Sequence, residues 1–189
     1  ILKFRQLYVN GKLAIMSTSD NFIDAIGNDI EAVIVTYGKW CFEYLQIEIK
    51  LNDFSIKEPA RSKFTEMTEE NTALLGTVYY FRNSHTFIDE EGEFSIDTLS
   101  GYVYYKPRNG ENMSTAETIV PSVETLLQLK GSSLDQKIHN IQLYGIQFSH
   151  SNYIAPFLNG FIQTQANQMY LGKNERTTRT PSGIYIENA

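Results

Sequence analysis

The chain has 189 residues, 42% of them apolar and 20% charged, and its 22 acidic against 16 basic residues give a net charge of −6. That length supports one good core or two small ones. The charge balance and the absence of any Lys/Arg cluster argue against nucleic acid and anionic membrane as partners. No apolar run reaches transmembrane length, and a single cysteine, Cys41, leaves neither an internal disulfide nor a Cys/His zinc spacing.

Aromatic residues are abundant, with 12 Tyr and 11 Phe beside one Trp. They suit half-buried strands, and surface Tyr suits flat contacts with sugars or peptides. In chain order, Phe4–Val9 and Leu13–Met16 flank Asn10-Gly11-Lys12, a hairpin signal because Asn-Gly fits the positive backbone angles of a tight turn. Residues 19–29 predict one short helix, capped by Ser19 or Asp20 and stopped by Gly27. Ile30–Val35 is a β-branched run, and Trp40–Ile49 alternates. A second hairpin through Tyr37-Gly38-Lys39 joins them. Cys41 lies between Trp40 and Phe42, as a buried inert thiol would.

Residues 51–72 are mostly polar, with Pro59 and a run of acids, and read as an exposed connection with at most one strand. Thr77–Phe81, Glu93–Ile96 and Tyr102–Tyr105 are predicted strands around turns at Glu91-Gly92 and Ser100-Gly101. Thr115–Val120 and Val123–Leu129 follow. In Gln136–Ser149, Ile141 and Leu143 alternate with polar residues, and so do Ile146 and Phe148, with the phase slipped at Tyr144-Gly145. Gly145 is either the corner between two short strands of a coiled sheet or a β-bulge in one strand. The chain opens in a strand and closes in the alternation Gly183–Asn188, so it reads as a segment of a longer protein.

These elements predict an all-β fold, a strand-rich block over 1–131 followed by a coil-like block over 132–189. The second block has too few apolar residues to stand alone and must pack on the first or await further coils. Asp89, Glu90, Glu91, Glu93 and Asp97 are dense, but Glu90-Glu91-Gly92-Glu93 reads as a solvated turn and lacks the ordered spacing of a calcium loop. His85, His139 and His150 show no telling spacing to a nucleophile or an acid. Asn140 and Asn188 stand where side-chain amides bond backbone groups at a corner.

Three stretches carry a resemblance: Phe4–Lys12 (FRQLYVNGK); Glu90–Asp97 with Gly101–Pro107 and Glu117–Pro121; and Ile138–Ile141 with Gly145–His150. They resemble bacterial right-handed parallel β-helix proteins related to glycoside hydrolases, of the family 141 and family 120 type. Leu13 departs from a commonly basic position and Phe94 from a common Trp. The resemblance implies a sandwich- or barrel-like accessory β-domain leading into the first coil or coils of a β-helix. It also implies a secreted, periplasmic or surface location in a bacterium, and a carbohydrate-active parent whose catalytic carboxylates sit on later coils.

The leading expectation is therefore a segment without chemistry of its own, with no cofactor and no metal, that helps wall a glycan cleft. Its partners are an oligo- or polysaccharide met through the full-length protein and the remaining coils of the same chain. His150 matches a family histidine after the coil's Phe, with a capping role as the alternative to a cleft contact. Asn152 and Tyr153 follow it, and loop aromatics Tyr37 and Trp40 are stacking candidates. The other readings are a purely structural or adhesive surface domain and a hydrolase built on the acids at 89–97. An exposed terminal strand also predicts an edge-to-edge dimer.

Overall fold

The structure is a computed structural model that describes residues 3–36, 41–70, 76–164, 168–171 and 178–189. Asn10 and Gly11 both have positive φ, 49° and 73°, the pair of conformations that reverses a chain in two residues. β1 (Tyr8–Val9) and β2 (Lys12–Leu13) are thereby antiparallel, with Tyr8 opposite Leu13. β3 (Ile15–Met16) and β4 (Thr18–Ser19) continue the chain. The helix expected over 19–29 does not form. Ser19 Oγ accepts from the Asn21 amide at 3.1 Å and Asn21 Oδ1 from the Ile23 amide at 3.0 Å. These short polar side chains satisfy donors that a helix would have used, so the segment runs as turns.

β5 (Glu31–Thr36), β6 (Cys41–Lys50) and β7 (Asp53–Ile56) form an antiparallel meander. Thr36 pairs with Cys41, as the expected hairpin requires, while Tyr37–Trp40 lie outside the described residues. The polar stretch expected as a connection holds a helix, α1 (Ala60–Glu70). Pro59 precedes it, Glu58 accepts from the Ser62 amide at 3.2 Å, and Ala60, Phe64 and Met67 fall on one stripe that packs on the sheet. β8 (Thr77–Arg82) pairs on the free side of β5, giving the order β4-β8-β5-β6-β7.

The pleat of this sheet sorts its side chains. Ala32, Ile34, Leu45, Ile47 and Phe81 face α1 and bury a first core with Met67, Phe87 and Ile162. Glu31, Val33, Tyr44 and Arg82 face the other way, because Glu31 pairs with Arg82 and Val33 with Tyr44. β9 (Glu93–Asp97) and β10 (Tyr102–Tyr105) are antiparallel, with their turn at Gly101 (φ 77°), and β3 adds to β9 in parallel. β11 (Thr118–Ile119) joins β1. Phe4, Leu7, Val9, Met16, Phe94 and Phe157 make a second core, in which Phe94 is 1% exposed and stacks on Phe4. Asn83, at φ 66°, ties the two regions together. Its Nδ2 donates to the carbonyls of Asp29 (2.8 Å) and Ile96 (3.1 Å), and its Oδ1 accepts from the Ile96 amide at 2.8 Å.

Beyond these, β12 (Leu127–Lys130) precedes α2 (Ala155–Asn159). A small antiparallel sheet of β13 (Gln163–Thr164), β14 (Gln168–Met169) and β15 (Thr178–Arg179) follows. β16 (Ile184–Glu187) lies parallel to β12, so the closing alternation finds its partner upstream. At the end of that pair Asn188 Nδ2 donates to the Gly131 carbonyl at 3.1 Å, the corner role expected of it.

The strands expected on either side of Gly145 are corrected. Gly145 bends at φ 70°, but Ile141–Phe148 pairs with no strand among the described residues and Tyr144 is 98% exposed. A backbone with no neighbour beside it has nothing to form a ladder with. The fold is all-β: several small open sheets, none closed into a barrel among the described residues, with two short helices.

Candidate functional site

On the sheet face away from α1, the chain's opening segment crosses over Glu31. Asn152 holds it there: Nδ2 donates to the Lys3 carbonyl at 3.0 Å, while Oδ1 accepts from the amides of Arg5 (3.3 Å) and Tyr153 (2.9 Å). Arg5 is thereby placed with both terminal nitrogens on the Glu31 carboxylate, Nη2 at 2.9 Å from Oε2. Arg82 Nε donates to the same Oε2 at 2.8 Å. Glu31 is fully buried. Burial alone would raise its pKa, but the two guanidinium groups outweigh it and hold the carboxyl below its ordinary range. Tyr44 backs the arrangement, with the Arg82 guanidinium 4.6 Å and that of Arg5 5.6 Å from its ring centre.

In front of these groups lies a cavity of about 420 Å³, walled by Arg5, Arg82, Tyr44, Asn152, Tyr153 and Phe161 and bordered by Thr180 and Pro181. Phe161 is fixed by an isolated antiparallel bridge to Tyr44, with amide-to-carbonyl bonds of 3.0 and 2.8 Å. Tyr153 meets Phe161 edge to face at 6.0 Å, and its hydroxyl reaches the Met169 sulfur. Burial, then the nearby Glu124 carboxylate, pushes the Tyr153 phenol up to about 12, so it stays neutral at physiological pH. Aromatic surfaces with a few converging polar groups suit a ligand that has apolar C–H faces and hydrogen-bonding edges.

Of the residues proposed from sequence, Asn152 and Tyr153 line this cavity. Asn152 works mainly by anchoring the opening segment, and Tyr153 presents its side chain to the space. His150 is not among the lining residues. It stands at φ 64° with its ring edge-on to Tyr8 at 4.4 Å and Nδ1 3.2 Å from Ser149 Oγ. Tyr37 and Trp40 lie outside the described residues. Arg5, Arg82, Tyr44 and Phe161 escaped sequence reasoning. The one local signal was Glu31, a lone acid at the mouth of a β-branched run.

The acids at 89–97 hold turns. Glu93 Oε2 accepts from the amides of Asp89 and Glu90 at 2.9 and 3.1 Å, Glu91 from Asn109 at 2.7 Å, and Asp97 from Leu99 at 3.0 Å. No group of three or more His, Cys, Asp or Glu is placed to hold a metal ion among the described residues. Glu43, like Glu31, is 0% exposed. It bonds Thr36 Oγ1 at 2.9 Å and the Gln163 amide, and burial pushes its pKa to about 7. It pairs with Ile34 whereas Glu31 pairs with Gln46, an offset of three positions along β5 that puts the two carboxyls on opposite faces of the sheet. They cannot flank one substrate bond as the two acids of a glycosidase do. Cys41 is buried; burial first and Glu43 second raise its thiol, which keeps it protonated and unreactive.

No family model matches the chain, and no curated protein does either. A solved structure named "Glycoside hydrolase" superposes on 90% of the chain with a TM-score of 0.72 at 25% identity. In fold the chain is similar to that protein. It spans 35% of the length of that glycoside hydrolase, so the superposition concerns about a third of the larger molecule.

Proposed function

We propose that this chain is a part of a carbohydrate-active protein that walls a glycan-binding cleft and does no bond cleavage itself. The observation that carries the reading is the cavity between Tyr44, Tyr153 and Phe161, floored by the Arg5–Glu31–Arg82 cluster. The likeness to a structure named as a glycoside hydrolase supports the substrate class. The separation of Glu31 and Glu43 by the sheet, and the use of the acids at 89–97 in turns, support a role without catalysis.

We further place this segment at the start of a right-handed parallel β-helix in an extracellular bacterial protein. The parallel pairing of Leu127–Lys130 with Ile184–Glu187 supports the β-helix. So does the Ile138 amide donating to the Asn188 carbonyl at 2.9 Å, since strands stacked in parallel with asparagine at the corner are how successive coils lie.

A glycan array followed by calorimetric titration tests the reading. Binding by the chain, weakened at least about tenfold in Tyr153→Ala and without release of reducing sugar, is the expected result. Release of reducing sugar by the chain alone would overturn the non-catalytic role. Silence across neutral and acidic glycans would remove the carbohydrate reading and leave an adhesive or structural domain.

A further inference from the structure

The cavity is charged in an unusual way for a molecule of net charge −6. Among the described residues, the ionisable acid or base side chains on its wall include two guanidinium groups and no carboxylate. Glu31 sits behind them, fully buried, and can neutralise one. Arg5 spends both terminal nitrogens on Glu31. Arg82 spends only Nε, at 2.8 Å, and its two terminal nitrogens donate to no group among the described residues. Its side chain is 15% exposed, and its guanidinium is set against Tyr44 at the cavity edge. Counted over Arg5, Arg82 and Glu31, the cluster thus carries one excess positive charge, on a planar fork whose two terminal nitrogens are uncommitted among the described residues.

From this we propose that the cavity binds the carboxylate of an acidic sugar, a uronate residue of a glycan, on the terminal nitrogens of Arg82. The inference rests on the carbohydrate reading above and narrows it. A guanidinium fork matches a planar pair of carboxylate oxygens, and the same arginines already hold one such carboxylate in Glu31. Tyr153 and Phe161 supply apolar surface beside the charge for the C–H face of the ring. Arg5 is a positioning residue here: pairing with Glu31 fixes that carboxylate, which in turn orients Arg82 through Nε. The largely buried setting makes the charge count for more than it would on an open surface.

The test titrates the intact chain with oligogalacturonate, oligoglucuronate and alginate oligomers. Methyl-esterified oligogalacturonate supplies the same ring with its charge removed, and neutral and sulfated oligosaccharides complete the set. The expected result is binding of at least one uronate oligomer, about tenfold or more tighter than its neutral or esterified counterpart and weakened by added salt. Arg82→Gln should abolish that preference, while Arg61→Gln, which removes an exposed guanidinium on α1 away from the cavity, keeps it. The comparison of acid with ester on the unaltered chain stands even if Arg82→Gln folds poorly. Equal binding of acid and ester, with no salt dependence, would overturn the uronate assignment and leave the carbohydrate reading intact. Preference for sulfated over carboxylated sugars would overturn it too. Absence of binding to every glycan, charged or neutral, would remove both.

Discussion

Glu43 offers the sharpest check on the electrostatics of the fold. Its carboxyl is fully buried between Thr36 and Gln163, with its pKa moved from the ordinary 4.5 to about 7 by burial, against the opposing effect of two hydrogen bonds. A carboxyl whose pKa is raised by folding is tolerated in its protonated form and resisted in its charged form. Below pH 4.5 it is protonated in both folded and unfolded chains and costs nothing. As pH rises from 4.5 to about 7 the unfolded chain ionises first, and stability is lost until both states are charged. A shift of that size corresponds to about 3 kcal/mol at 1.36 kcal/mol per pH unit. Glu43→Gln imitates the protonated side chain in shape and removes the titration. Urea unfolding of both proteins between pH 4 and 8 should give a difference near its baseline at pH 4. It should grow in favour of the variant through pH 7 and then level off. A difference that stays flat, or that favours the native side chain at pH 8, would refute the placement of a charged Glu43 in an unwelcoming site.

Glu31→Gln should act in the opposite sense. Removing the shared carboxylate leaves two largely buried guanidinium groups facing each other and should cost about 3–5 kcal/mol at neutral pH, read by the same denaturation. Because folding lowers the Glu31 pKa, that difference should persist above pH 4.5 and shrink as acid protonates the native carboxyl. Asn83→Ala should cost about 3 kcal/mol by stranding the buried backbone groups of Asp29 and Ile96. Loss of amide-exchange protection at Ile96 would accompany it, and an unchanged Ile96 would argue against the joining role.

What the sequence revealed was what short stretches decide for themselves. Asn10-Gly11 sets a two-residue turn by its own backbone angles, and the expected alternation from Cys41 to Ile49 survives in β6 because one face is buried along nearly its whole length. Helix α1 stayed hidden because its stripe of Ala60, Phe64 and Met67 is narrow and is interrupted by Arg61, Lys63, Glu66 and Glu69, so composition masked periodicity. The phase slip at Gly145 was visible, but whether the flanking residues become strands depends on what lies beside them, which no local pattern states. The cavity was half legible. Asn152 and Tyr153 stood out as polar and aromatic residues after a bend, whereas Arg5, Glu31 and Arg82 come from three separate places. They meet only through the strand register and the crossing of the opening segment.

The Asn152 tether also sets an order of assembly. Its bonds to Arg5 and Lys3 span 147 and 149 positions, whereas β5, β6 and β7 pair with their neighbours in sequence. During synthesis the meander of β5, β6 and β7 can close before Arg82 emerges to join Glu31. Arg5 gains its seat only after Asn152 follows, because contacts of long sequence separation form late. A chain halted before Asn152 would keep the meander and lack the Asn152, Tyr153 and Phe161 wall of the cavity.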